Sequence, residues 1–171
     1  MLQKSKSPVL ILLMVCLILL SVSNEFARHS TALKQSDTDL KEDEAKILYL
    51  INEIRLDNGM DKVRWNDDLA SLARSYSNNM AKDRFFSHFN RNGETVVERA
   101  RKMKIVRWKM IGENLFKGTG IEDLPRFAIK GWMKSPQHKK NIMERRFNET
   151  GIGLARSSDG TIYATQVFLE R

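Results

Sequence analysis

The pattern that most restricts the fold is a strand, turn and strand near the C-terminus. Residues 150–155 alternate small and apolar side chains, Asp159 followed by Gly160 is a turn signal, and residues 162–169 supply a second apolar strand. A shorter segment at 114–117 is expected to join them in a small antiparallel sheet. In the segments before these strands, apolar residues recur at helical spacing, so the sheet is expected to pack against helices. This order predicts an α+β domain.

The segments before and between these strands have apolar residues three or four positions apart and recognisable start signals. Helices are predicted from residue 42 to Gly59, from Asn66 onward, from Thr95 to Met103, from Asp123 to Met133, and from Ser135 and Pro136 onward. Ser135 is expected to cap the last helix with its side chain. Pro136 follows at the first helical position, where proline is tolerated. His138 then lies in the first turn of that helix.

The first 23 residues differ in character from the rest. Lys4 and Lys6 precede an apolar run over residues 9–20, which is shorter than the roughly 20 residues that span a bilayer. This pattern predicts a secretory signal peptide at 1–23, with a retained N-terminal anchor as the alternative. Residues 24–40 are polar and predict a linker, and residues 41–171 form the predicted domain. We expect no stable membrane span after signal removal.

Cysteine usage and charge indicate where an exported chain would act. Cys16 is the only cysteine and would leave with the signal, so the domain must be stable without disulfides, as is typical of bacterial secreted proteins. Without Lys4 and Lys6, 27 basic residues face 21 acidic ones, a net charge of +6. Such an excess favours an anionic cell wall or lipid surface as partner. No recognisable nucleic-acid module is present, so nucleic acid is not expected.

Three side chains in the predicted domain are candidates for chemistry. His88 and His138 lie at helix boundaries, and Glu113 precedes a predicted strand beside Gly112. Together they suit a divalent cation or a hydrogen-bonded acid and base, whereas apart they are structural or surface residues. Sequence spacing alone does not show whether they meet in space.

Several short motifs, in order over residues 47–168, resemble the CAP superfamily of cysteine-rich secretory proteins, antigen 5 and pathogenesis-related proteins. The likeness is greater to its bacterial SCP-like extracellular branch. The motifs are residues 50–55 with Gly59, Trp65 and Asn66 with Leu69 and Ala73, residues 86–88, residues 112–114, residues 132–138 with Asn141 and Ile142, residues 151–153, and residues 163–168.

The resemblance implies a three-layer α-β-α sandwich with a central cleft. In eukaryotic members, two histidines and two acidic residues of that cleft bind divalent cations such as zinc. His88 and Glu113 match two of these positions, but Tyr163 and Ser135 stand at the other two. We expect His138 to replace the missing imidazole and, with His88 and Glu113, to be the candidate zinc ligands. Tyr163 and Gln166 are expected to be polar neighbours.

The resemblance leaves two functions open. The first is a secreted or envelope-associated, non-enzymatic module that binds a cell-envelope or lipid ligand in the cleft formed by His88, Glu113 and His138. The alternative is an extracellular hydrolase, similar to a peptidase, in which these residues hold a metal or activate water. No nucleophile elbow is present, because neither Ser87 nor Ser135 lies in a Gly-x-Ser-x-Gly motif.

Overall fold

A computed structural model describes residues 38–171, of which residues 40–171 form one compact unit. The predicted signal peptide and residues 24–37 of the predicted linker lie outside the described residues. Residues 38–40, which we assigned to the linker, are helical, and Leu40 is buried in the core. The first helix therefore extends into the predicted linker. Within residues 38–171, no helix has the length and apolar character needed to cross a membrane.

Five helices and four strands make up the described chain. They are α1 (38–57), β1 (Arg64–Trp65), α2 (Asp67–Asp83), α3 (Val96–Lys102), β2 (Met110–Gly118), α4 (Leu124–Lys134), α5 (Pro136–Ile142), β3 (Glu149–Arg156) and β4 (Ile162–Glu170). Every predicted element is present. β1 was not predicted, and β2 is longer than the expected segment at 114–117.

The four strands form one sheet in the order β1-β3-β4-β2. β4 is antiparallel to both β2 and β3, with Glu113 opposite Val167 and Gly153 opposite Thr165. β1 runs parallel to β3, so the sheet is mixed and not purely antiparallel as predicted. β2 is an edge strand, which leaves one side of its backbone available to groups outside the sheet.

Helices cover both faces of the sheet and give the α+β, three-layer α-β-α sandwich that the sequence predicts. On one face, buried residues of α1, α4 and α5 such as Ile51, Trp132 and Ile142 pack on the strands. On the other face, α2 and α3 pack on alternate residues of the same strands, including Val167 of β4. The apolar core is therefore divided into two layers by the sheet.

Two glycines let α2 lie directly on β3. A β-carbon at Gly151 would stand 2.1 Å from the backbone nitrogen of Ala70, and one at Gly153 would stand 2.0 Å from the backbone nitrogen of Arg74. Both distances are far below van der Waals contact, so only glycine fits at these positions. The close approach brings α2, and the loop that follows it, against the sheet.

Local capping signals predict two helix starts correctly and one wrongly. The Asn66 side chain accepts a hydrogen bond from the Leu69 amide, and Thr95 with Glu98 forms a complete capping box. Ser135 makes no side-chain capping bond, although its carbonyl accepts from the Lys139 amide. The helix therefore begins at Pro136, a residue whose fixed φ suits the first helical position, without a side-chain cap.

A buried arginine joins α1 to the chain that follows α5. Arg55 is fully buried and donates hydrogen bonds to four backbone carbonyls, those of Asp61, Ile142, Glu144 and Phe147. Burial lowers the pKa of Arg55, but a guanidinium keeps its charge in proteins. Since α5 carries His138, Arg55 helps to fix the helix that presents this histidine.

Candidate functional site

His88 lies in the loop that connects α2 to α3, and this loop is held from two sides. Arg84 ends α2 in a left-handed conformation, with φ of 53°. The Tyr76 hydroxyl then donates to the Ser87 carbonyl at 2.6 Å, and Arg99 donates to the His88 carbonyl at 3.2 Å. The backbone of His88 is therefore fixed, while half of its side chain, 51%, remains exposed.

Glu113 is the buried anion beside this loop. Its side chain projects from β2 with only 4% of its surface exposed. One carboxylate oxygen, Oε1, lies 2.8 Å from His88 Nδ1, and the other, Oε2, accepts from Arg99. Because an ionised carboxylate only accepts, His88 Nδ1 must carry the proton of that bond. In the neutral ring, Nε2 is then left unprotonated.

His138 is positioned by contacts between α5 and the edge of β2. Asn141 of α5 donates through Nδ2 to the Glu113 carbonyl at 3.1 Å and to Asn114 Oδ1 at 2.9 Å. Asn114 donates in turn to the His138 carbonyl at 3.2 Å. A β-carbon at Gly112 would lie 2.9 Å from the Phe147 ring. The glycine thus permits the close approach that we expected near Glu113.

The structure brings together the three residues that the sequence singled out. The His88 and His138 rings are 6.4 Å apart between centroids and tilted by 46°. Burial lowers the pKa of His138, and the nearby His88 lowers it further, so the environment favours the neutral form of this ring. The cleft therefore contains one imidazole bonded to a carboxylate and, beside it, a second imidazole whose neutral form is favoured.

These side chains open into a pocket with a volume of about 390 Å³, within the usual range for small-ligand sites. Its lining combines polar and charged side chains with apolar ones. The lining residues are His88, Met110, Ile111, Glu113, Gln137, His138, Lys140, Asn141, Glu144, Arg146 and Phe147. Such a mixture suits a ligand with both polar and apolar parts.

Tyr163 and Gln166 do not line this pocket, contrary to our expectation. Tyr163 is buried under α2, and its partner on β2 is Lys117, four residues from Glu113 and hence ~13 Å along the strand. Gln166 is fully buried on the opposite sheet face, where it donates to Thr150 Oγ1 at 3.3 Å. A match in sequence order did not reveal which way these side chains point.

The residues present do not fit the divalent-cation site that the resemblance implies. Among residues 38–171, no group of three or more His, Cys, Asp or Glu side chains is arranged to hold a metal ion. In addition, both oxygens of Glu113 are already bonded, one to His88 and one to Arg99. A carboxylate that pairs with a guanidinium offers little attraction to a second cation.

Arg99 is the residue of this site that sequence reasoning missed. It lies in α3, is only 7% exposed and has its guanidinium carbon 3.3 Å from the centroid of the Tyr76 ring. In the structure, Arg99 and Ala100 are the buried residues of the short helix that begins at Thr95, but no local sequence pattern distinguishes Arg99 from the other arginines of this segment. An arginine at such a position needs an internal partner.

Comparisons with known proteins agree with this architecture. The model of the cysteine-rich secretory protein family, CAP, matches residues 48–168. The Bacillus subtilis protein YlbC, described as an uncharacterized membrane protein, is 30% identical over 75% of this chain and 34% of its own length. B. subtilis YkwD, an uncharacterized protein, is 29% identical over 72% of this chain and 46% of its own. The chain thus spans about a third to a half of these curated relatives.

A solved structure is similar as well. An extracellular protein from Bacillus anthracis that contains an SCP domain is 26% identical, with a TM-score of 0.67. The match covers 77% of this chain and 41% of that protein.

Proposed function

Because the chain belongs to the CAP family of cysteine-rich secretory proteins, we propose that it is an exported, non-enzymatic module that binds a cell-envelope or lipid ligand in the His88–Glu113–His138 cleft. The predicted signal peptide supports export, and the similar B. anthracis protein is described as extracellular. The envelope is then the first anionic surface that an exported chain with an excess of basic residues meets.

The observation that carries the proposal is the internal engagement of Glu113. Both of its oxygens are hydrogen-bonded within the protein, so the carboxylate orients His88 and does not itself activate water. None of the described residues that line the pocket is a serine, threonine or cysteine. The described lining therefore has donors, acceptors and apolar groups for binding, without a hydroxyl or thiol nucleophile.

The test is co-sedimentation of the purified full chain with isolated cell-envelope fractions and with lipid vesicles at physiological salt. Binding is expected for the natural sequence and should fall at least tenfold in His138→Ala, because that side chain lines the pocket. Lys41→Gln is the matched control, since Lys41 is exposed on α1 and lies outside the pocket lining. Equal sedimentation of all three proteins, or none for the natural sequence, would refute the proposal.

Hydrolysis of a peptide or ester bond is the second candidate function. The His88–Glu113 hydrogen bond of 2.8 Å favours it, because a carboxylate-oriented imidazole is a common general base. A screen of chromogenic peptides and esters would compare the natural sequence with His88→Ala and His138→Ala. Turnover that disappears in both variants supports hydrolysis, whereas absent or unchanged turnover removes it.

A further inference from the structure

The Arg99 guanidinium is held in place on several sides. Besides Glu113, it donates to the backbone carbonyls of His88 and Glu94, each at 3.2 Å, and it stacks on the Tyr76 ring. With 7% of its surface exposed, the side chain has no alternative position in solvent. Its positive charge is therefore a permanent part of the cleft, since arginine does not lose its proton in proteins.

This fixed charge occupies one side of the carboxylate that a metal would need. Oε2 of Glu113 accepts from Arg99, and Oε1 is bonded to His88 Nδ1. A divalent cation at Oε1 would displace the His88 proton and would lie close to a buried guanidinium. In a poorly solvated site, repulsion between like charges is strong.

The other charges around the pocket also disfavour a divalent cation. Glu144 is the second carboxylate of the lining and pairs with Arg146 at 3.0 Å. Lys140 also lines the pocket and has no ion pair within the described part of the chain. Both carboxylates are thus compensated and one ammonium is not, so the pocket has an excess of positive charge.

We infer that Arg99 takes the place of a divalent cation at Glu113, so that the cleft excludes such cations and selects ligands with neutral or anionic groups. This inference rests on the proposed function only in placing the ligand in the same cleft. Arg99 acts as a positioning and selectivity residue, because it holds Glu113 and the His88 loop without lining the pocket. Removing it would release Oε2 of Glu113 beside the two imidazoles, and two histidines with one carboxylate are a usual ligand set for zinc.

The test is calorimetric titration of zinc into the purified full chain at pH 7.5. The natural sequence is expected to give the same isotherm as His138→Ala, since zinc does not use the cleft. Arg99→Gln should gain a site at least tenfold tighter, which is lost again when His138→Ala is added. Arg99→Lys keeps the cation and Arg101→Gln changes an exposed residue of the same helix, so both should resemble the natural sequence.

Either of two results overturns the inference: zinc binding by the natural sequence that weakens tenfold in His138→Ala, or a folded Arg99→Gln variant that binds zinc no more tightly. If Arg99→Gln does not fold, a measurement on the natural sequence alone still tests whether the cleft excludes divalent cations. NMR line broadening of its His88 and His138 ring signals by Mn²⁺ would contradict the inference, and unaffected rings would support it. No envelope component enters these measurements, so their outcome is independent of the co-sedimentation test.

Discussion

Replacing Glu113 by glutamine should show how strongly the cleft depends on one buried charge. The substitution keeps size and shape but leaves the Arg99 guanidinium, 7% exposed, without its anion. Breaking a buried ion pair from one side costs about 3–5 kcal/mol. Arg99 keeps its two carbonyl acceptors and its contact with Tyr76. We therefore expect the lower end, a loss of about 3 kcal/mol in the free energy of unfolding.

The assay is urea unfolding followed by circular dichroism. With a slope of about 2 kcal/mol per molar, a loss of that size lowers the urea midpoint by roughly 1.5 M. Glu122→Gln, at an exposed position in the loop before α4, is the matched control and should change the midpoint little. In the double variant Glu113→Gln with Arg99→Met, the combined loss should be smaller than the sum of the two single losses. A loss below about 1 kcal/mol in Glu113→Gln, or strictly additive losses, would show that the pair is not coupled as described.

Three further changes test the fold and the histidine. Gly153→Ala places a β-carbon 2.0 Å from the Arg74 nitrogen and should lower the free energy of unfolding in urea by about 3 kcal/mol. The control is Gly131→Ala, whose β-carbon would lie 3.8 Å from its nearest neighbour and which should be neutral or slightly stabilising. Arg55→Met leaves four carbonyls without their donor and should cost about 3 kcal/mol or more in the same assay. His138 should titrate by NMR below the usual pKa of about 6.5, since burial disfavours its charged form. The unfolded chain then binds more protons between the two pKa values, so stability falls as the pH drops through that window, and this slope should be absent in His138→Ala.

Features encoded within a few residues were predictable from the sequence. The Asn66 cap and the Thr95 capping box formed as expected because each joins a side chain to an amide two or three residues away. The β3–β4 hairpin was predictable for the same reason, as its turn at Gly160 is local. β1 was not, since its two residues become a strand only by pairing with Glu149 and Thr150 of β3.

The candidate site was predictable in part, and the limit lies in side-chain direction and distant pairing. His88, Glu113 and His138 meet because α5 docks on the edge of β2, as the family resemblance implied. Tyr163 shares a sheet face with Glu113 but lies under α2, ~13 Å along the strand, whereas Gln166 points to the opposite face. The sequence motif did not specify the register that sets both positions. Arg99 was missed because its partner Glu113 belongs to another element, so nothing local marks the arginine as part of the cleft.

Photo-crosslinking from inside the pocket would show whether this cleft engages an envelope component. A photoreactive residue would replace Gln137, an exposed lining residue of α5, in the full chain incubated with isolated envelope fractions. The same residue at Ser158, exposed in the β3–β4 turn and outside the cleft lining, is the control. We expect a covalent adduct with an envelope component from position 137 and none from position 158. Adducts from both positions in equal yield, from 158 alone, or from neither would contradict it.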